Sequence, residues 1–278
     1  MKRSVFAHYK QSPSRTDDRH WRAFTLLELL VVIGIIGILA AVGLPRLKGL
    51  TKSNTGIAAT RQLLDDVAQA RAAAIASRST VYMVFVPPEI ASWMNDPLFS
   101  ADIPTGKYTQ NERQTFTNLV GSQYAAYALY SERNVGDQPG YKNPRYLTPW
   151  KTLPQGVFIP VYKYQYQFRK PVELPAYWSN GVPPFATNSF PFPLANSPVA
   201  VLPYIQFDYQ GRLAEQQDEI LPLAHGSIFF PRGDQGVIAA PFTADVQENP
   251  PNNSITLSNH VRIDWLTGRA RVEHQELQ

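Results

Sequence analysis

Residues 24–44 read FTLLELLVVIGIIGILAAVGL, and this stretch decides how the rest of the chain is organised. It holds 21 residues and a single charged side chain, Glu28. At about 1.5 Å of rise per residue, such a helix is about 30 Å long, the thickness of a bilayer core. The run is longer than the core of a secretory signal peptide, and a buried core helix is rarely apolar on every face. The sequence therefore predicts a transmembrane helix that is kept as an anchor.

The 23 residues before this run carry all of the net charge of the chain. They contain six basic and two acidic side chains, a net charge of +4, which equals the formal charge of the whole 278-residue chain. The remaining 255 residues are formally neutral, with 20 basic and 20 acidic side chains. By the positive-inside rule, the amino terminus is expected in the cytoplasm and the carboxyl-terminal bulk on the far side of the membrane.

Glu28 is the anomaly of the apolar run. A carboxylate in the middle of a membrane helix costs about 2.5–3.5 kcal/mol on insertion scales, so it needs a cationic partner. The nearest basic residues in the sequence are Arg22 and Arg46, on either side of the run. We therefore expect the partner to come from another chain or from a newly formed amino terminus.

Residues 22–33, RAFTLLELLVVI, closely resemble the cleavage and methylation signature of type IV prepilins and type II secretion pseudopilins. The resemblance implies cleavage between Ala23 and Phe24 by a prepilin peptidase and N-methyltransferase, with N-methylation of Phe24. Pro45 lies at the usual distance of the helix kink in this family. The residue before the cut is usually glycine, and Ala23 is small enough to take its place.

The same resemblance implies a partner for Glu28. Methylation leaves the new Phe24 amine charged, so the Glu28 carboxylate can pair with the Phe24 amine of a neighbouring subunit in a filament. Burying the two charges together offsets a desolvation cost that each would otherwise bear alone. Phe24, Glu28 and Pro45 are thus the predicted assembly residues.

The expected organisation is a cleaved cytoplasmic leader (1–23), a transmembrane and assembly helix (24–45), an amphipathic helix (46–79) and a β-rich domain (80–278). Pro45 is expected to bend or locally melt the long helix, because it lacks an amide donor. After it, apolar residues recur at helical spacing, which predicts the face that packs on the domain: Ile57, Leu64, Val67, Ala68, Ala74 and Ile75.

Beyond Arg78 the pattern favours short strands separated by turns, and hence antiparallel pairing. The predicted strands are 80–86, 123–130, 156–162, 204–208, 227–231 and 261–266. Residues 87–122 are polar and turn-rich, and residues 163–200 contain seven prolines, so both are interpreted as loops or insertions. The predicted class is α+β and pilin-like: a long amino-terminal helix packed on an antiparallel sheet domain with proline-rich insertions.

A more diffuse resemblance refines the family. Residues 62–75, followed by a strand at Thr80, are similar to the H-type minor pseudopilins of type II secretion (the GspH/FimT group), as are residues 153–157. So are two strands that end in Gly211-Arg212 and Gly268-Arg269, which we interpret as two hairpins of one sheet.

The residues offer little for catalysis. The chain has no cysteine, which excludes disulfides, thiolate metal sites and cysteine nucleophiles. His225, His260 and His274 stand in no metal-binding spacing, and there is no G-x-S-x-G or P-loop motif. Asp65-Asp66 is interpreted as a solvated helix face. The chain is therefore predicted not to be an enzyme and to need no cofactor or metal.

The arginines near the carboxyl terminus raise one further possibility, which is nucleic-acid binding. Arg262, Arg269 and Arg271 lie close together near the carboxyl terminus and could contact DNA phosphates. Glu273 and Glu276 follow them and reduce the local positive charge. We therefore do not expect a nucleic-acid partner.

The leading hypothesis is a minor pseudopilin: a single-pass inner-membrane protein with a periplasmic domain, added to a type II secretion pseudopilus or a pilus-like filament. Its expected partners are the prepilin peptidase, other pseudopilins or pilins, and the lipid bilayer. The alternatives are a pilus-tip adhesin or DNA-uptake minor pilin that uses the proline-rich segments, and a membrane-anchored enzyme.

Overall fold

The computed structural model describes residues 25–93, 108–138, 141, 143–164, 182–233, 238, 244–256 and 259–274. The predicted leader, Ala23 and Phe24 lie outside these residues. The chain divides into two compact units between Lys48 and Gly49. All of the strands belong to the second unit.

Helix α1 runs from Leu26 to Ser77 and is the longest element, with 52 residues. Residue 45 is helical, so the local melting that was one of the two effects expected at Pro45 does not occur. The side chain of Pro45 lies outside the described residues. A proline removes one backbone hydrogen bond, and the flanking turns keep theirs.

The part of α1 in the second unit buries a narrow face. Five side chains at helical spacing are fully buried: Ala59, Leu63, Val67, Ala70 and Ala74. Val67 and Ala74 were expected there, but Ile57 is 48% exposed and Ile75 is 41% exposed. Ala68, also expected on this face, is exposed too. Alanines at three of the five buried positions let the helix backbone lie close to the sheets.

The larger sheet has six antiparallel strands. They are β1 (Val81–Phe85), β2 (Ala126–Ser131), β3 (Arg145–Tyr146), β4 (Lys151–Thr152), β6 (Ala186–Pro191) and β7 (Val199–Phe207). Their order is β3-β2-β1-β7-β6, and β4 also pairs with β2. Met83 of the central strand lies opposite Leu129 on one side and Ile205 on the other.

The second sheet has five strands, again all antiparallel. They are β5 (Val157–Phe158), β8 (Glu219–Phe229), β9 (Asp245–Glu248), β10 (Asn259–Ile263) and β11 (Ala270–His274). Their order is β11-β10-β8-β5, and β9 also pairs with β8. The predicted α+β class with antiparallel sheets is confirmed.

The hydrophobic interior consists of two clusters on opposite faces of β1, because successive strand residues point to opposite faces. Met83 and Phe85 face the cluster that contains the buried residues of α1 and of the second sheet. Val84 faces the other cluster, together with Phe116 and Leu202.

Both segments interpreted as loops or insertions contain regular structure. The first holds helices α2 (Ile90–Trp93) and α3 (Gln110–Val120), and α3 begins with a capping box between Thr109 and Glu112. The second holds β6 and the start of β7, after a 3₁₀ helix at Val161–Tyr164. Pro191 is tolerated because it ends an edge strand, where its missing amide donor costs least. Helix α4 (Asn253–Thr256) completes the elements.

The two strand–Gly–Arg endings lie in different sheets, so the interpretation as hairpins of one sheet is wrong. The first follows β7, and the second joins β10 to β11. They nevertheless meet: the Leu213 amide donates to the Trp265 carbonyl at 2.9 Å. A Cβ at Gly268, where φ is +61°, would lie 1.9 Å from the Gly211 carbonyl oxygen.

Gly268→Ala should therefore destabilise the domain strongly. It adds a backbone clash to an unfavourable positive φ, and we expect a loss of about 2 kcal/mol or more in the free energy of unfolding, measured by urea titration. Gly136→Ala is the matched control, because φ is +91° there but nothing lies within 4 Å of the added Cβ. Equal losses in the two variants would show that the contact between the turns is unimportant.

Candidate functional site

The amino-terminal segment of α1, residues 25–41, exposes an unusual amount of apolar surface. Its large aliphatic side chains are between 44% and 87% exposed: Leu26, Leu27, Leu29, Leu30, Val31, Val32, Ile33, Ile35, Ile36, Ile38 and Leu39. These positions lie on every face of the helix, so the segment has no single apolar face among the described residues. Apolar area left in water costs about 25 cal/mol per Å². The exposed surface of the segment therefore suits an apolar environment.

Glu28 lies in the first turn of this helix. The Glu28 amide donates to Thr25 Oγ1 at 3.2 Å, and the Leu29 amide donates to the Thr25 carbonyl at 3.1 Å. Thr25 therefore caps the helix, and an acidic residue in the first turn suits the positive end of the helix dipole. Glu28 is exposed and, within the described part of the chain, makes no ion pair. Its carboxylate is available to a cation from outside those residues.

Small residues interrupt the apolar surface of this segment. A Cβ at Gly34 or at Gly37 would meet nothing within 4 Å in the described structure. Glycines on an apolar helix allow another helix to approach closely. The segment can thus contact further helices as well as an apolar solvent.

In the second unit, Asp66 forms a buried polar cluster. It is 4% exposed, accepts a hydrogen bond of 2.7 Å from the Tyr127 hydroxyl, and pairs with Lys151. Gln62 donates to Tyr127 Oη at 2.8 Å. Burial, and then the bond to Asp66, raise the pKa of Tyr127 far above its usual value. The solvated-face interpretation is right for Asp65, which is exposed, and wrong for Asp66.

Lys163 and Glu219 form a second polar contact inside the domain. Lys163 is fully buried, donates to the Pro183 carbonyl at 2.6 Å, pairs with Glu219, and lies 4.7 Å from the centre of the Phe185 ring. Burial lowers the pKa of Lys163 and raises that of Glu219, while the attraction between the two opposes both shifts. The pair ties the chain at Pro183 to the start of β8, and nothing in the sequence pattern pointed to it.

His225 lies in a cavity whose lining contains no carboxylate. The His225 ring packs against Gly56 and lines a cavity of about 220 Å³ with Ser227 and Asn249, but no carboxylate is in the lining. A serine–histidine–acid triad requires such a carboxylate. No group of three or more potential metal ligands occurs in the part of the chain that the structure describes.

Two of the three arginines that could contact DNA are engaged by carboxylates. Arg262 pairs with Asp218 at 2.7 Å and with Glu273 at 3.5 Å. Arg271 pairs with Glu273 at 2.7 Å. A hydrogen bond from the Trp265 amide, together with Arg262, lowers the pKa of Asp218, so this carboxylate stays charged near neutral pH.

None of the helices among the described residues combines the length and the apolar character that crossing a membrane requires.

Comparison with known proteins supports the interpretation of the amino-terminal segment. The family model described as "Prokaryotic N-terminal methylation motif" matches residues 22–44. The chain therefore carries a type IV prepilin-like motif there, as predicted. No curated protein and no solved structure matches the chain.

The buried Asp66 cluster leads to a test of how the domain is held on α1. Asp66→Asn removes the charge that pairs with Lys151, and we expect it to lower the free energy of unfolding by about 1–2 kcal/mol, because Lys151 can still reach water. Asp65→Asn changes the neighbouring exposed residue and should cost less than about 0.5 kcal/mol. Urea titration of both variants measures the difference, and similar losses would show that Asp66 has no special role.

Proposed function

We propose that this chain is a structural subunit, a minor pseudopilin, of a type II secretion pseudopilus or a related type IV pilus-like filament. The observation that carries the proposal is the methylation motif at residues 22–44. Within that motif, the described part of α1 exposes its aliphatic side chains all round and holds Glu28 in the first turn. A filament of packed helices would cover such a surface.

Processing is the first step of the proposed function. A prepilin peptidase would cut between Ala23 and Phe24 and remove the leader, which carries the net +4 charge. The same enzyme would methylate the Phe24 amine, which keeps its positive charge. Because the mature chain is formally neutral, the basic character of the precursor acts in membrane topology and processing.

Assembly is the second step. Thr25 caps the helix, so the new amine at Phe24 would lie just before the first turn, and the Glu28 carboxylate lies within that turn. The pairing that we propose joins the Glu28 carboxylate of one subunit to the Phe24 amine of its neighbour. Each charge would be costly alone in an apolar environment, so the pair would set the register between subunits.

The aliphatic surface of residues 26–39 supports an anchoring role before assembly. Its exposed side chains need an apolar environment, and the acyl chains of a bilayer provide one. We propose a single-pass inner-membrane precursor with a cytoplasmic amino terminus and a periplasmic domain. On entering the filament, the segment would exchange lipid for the equivalent segments of other pilins or pseudopilins.

The processing proposal predicts the chemical structure of the mature amino terminus. Intact-mass and amino-terminal analysis of protein purified from cells with a prepilin peptidase should show a chain that begins with N-methylated Phe24. Ala23→Gly should keep cleavage, and Ala23→Leu should block it, because the peptidase site accepts a small side chain there. A mature chain that starts at any other residue contradicts the proposal.

The assembly proposal predicts that Glu28 is needed after cleavage and not for it. Glu28→Val should leave expression and the start at Phe24 unchanged, but it should strongly reduce recovery of the chain in sheared filament fractions. Glu28→Asp is the conservative control and should retain part of the assembly, since it keeps the charge. Normal assembly of Glu28→Val would rule out the charge pairing.

A further inference from the structure

Two turns from different sheets meet beside the carboxyl-terminal end of α1 and form one surface, which we call the paired-turn patch. It comprises residues 208–212 after β7, residues 264–269 between β10 and β11, and Arg71, Ile75 and Arg78 of the helix end. Arg71 Nε donates to the Thr267 carbonyl at 2.7 Å. A Cβ at Gly211 would lie 2.8 Å from Ile75 Cδ1, so the first turn rests directly on the helix.

The first turn is fixed by its own aspartate and glycine. Asp208 Oδ1 accepts hydrogen bonds from the amides of Gln210 and Arg212, each at 2.9 Å. Gly211 has a φ of +77°, which residues with a side chain rarely adopt. The conformation therefore does not depend on the side chain of Tyr209, which is 58% exposed.

The second turn is built in the same way. Asp264 Oδ1 accepts from the Thr267 amide at 2.8 Å and from Thr267 Oγ1 at 2.7 Å. Gly268 has a φ of +61°. Leu266 lies between the aspartate and the glycine and is 54% exposed. Its apolar side chain is not required by the turn either.

The patch thus contains three large apolar side chains that are each at least 41% exposed. Tyr209 and Leu266 belong to two adjoining turns, where polar residues are usual, and Ile75, on which Gly211 rests, is 41% exposed. Clustered apolar side chains on a surface mark a contact site more often than scattered ones. A hydrogen bond and close backbone packing hold the two turns together. Binding of a partner would therefore cost little conformational entropy in the patch.

The residues of the patch also carry a surplus of positive charge. The patch contains four arginines, Arg71, Arg78, Arg212 and Arg269, and two aspartates, Asp208 and Asp264. Both aspartates accept hydrogen bonds inside their own turns, and Asp208 also pairs with Arg212 at 3.1 Å. The other three arginines make no ion pair among the described residues. The patch therefore has a surplus of guanidinium groups.

We propose that the paired-turn patch binds a segment of a partner protein that presents apolar side chains flanked by carboxylates. The apolar side chains of the partner would cover Tyr209, Leu266 and Ile75. Its carboxylates would pair with Arg269 and Arg78, and guanidinium groups suit carboxylates because two hydrogen bonds can form in parallel. Tyrosine and arginine are also the side chains that most often dominate binding energy at protein interfaces. The patch lies wholly in the second unit and is independent of the methylation motif.

Site-specific photo-crosslinking in the full-length chain tests this surface. Tyr209→p-benzoylphenylalanine keeps an aromatic ring at the tip of the patch, and Tyr141, which is 67% exposed elsewhere, takes the same replacement as the control. After irradiation of cells that naturally make this protein, position 209 should give a protein adduct well above the yield at position 141. Mass spectrometry of the adduct should locate the crosslink in a peptide with Asp or Glu beside apolar residues.

Charge reversal then distinguishes a specific contact from nonspecific adsorption. Arg269→Glu in the Tyr209 crosslinking chain should lower the adduct yield several-fold, while Arg145→Glu, at an exposed site outside the patch, should leave it unchanged. Thermal unfolding of both variants checks that the domain stays folded. Equal yields at positions 209 and 141, an adduct to lipid or to a peptide without carboxylates, or a yield insensitive to Arg269→Glu would overturn the proposal.

Discussion

The narrow buried face of α1 is the contact on which the domain depends. Ala59, Ala70 and Ala74 are fully buried, and they surround Leu63 and Val67 on one side of the helix. Small side chains bring the helix backbone close to the sheets, so that buried residues of both sheets reach the same cluster. A larger residue at any of these alanines would push the helix away from the two sheets together. The packing of the rest of the interior depends on this close approach of helix and sheets.

Polar contacts then fix the helix in one position on that apolar base. Asp66 is held by Tyr127 and Lys151 of the larger sheet, and Arg71 donates to the turn of the second sheet at Thr267. Apolar packing alone tolerates sliding, whereas a buried carboxylate with two defined partners does not. The helix therefore meets each sheet through at least one directional contact, and the two turns at its end both contact it.

Helix α1 also shows how one element can serve two environments. Residues 26–39 expose aliphatic side chains on every face, while in residues 59–74 only one narrow face is buried and exposed arginine and aspartate side chains lie on others. The first pattern suits lipid or a bundle of like helices, and the second suits a surface helix on a domain. The methylation motif, at residues 22–44, includes all of the first pattern. In the filament that we propose, the first part would assemble and the second would carry the domain.

The sequence by itself determined the features that short-range chemistry controls. The motif around Glu28 was readable from its spacing, and the long helix and the strand at 80–86 were readable from their composition. The polar composition of 87–122, in contrast, hid helix α3, which begins with a capping box between Thr109 and Glu112. The tertiary structure alone decided which face of α1 is buried, since alanines pack against sheets that form from residues far along the chain. It also decided that Asp66 is buried while Asp65 is exposed, and that the turns that contain Tyr209 and Leu266 adjoin each other. Such proximity arises from strand order and sheet packing, which local patterns of residues do not encode.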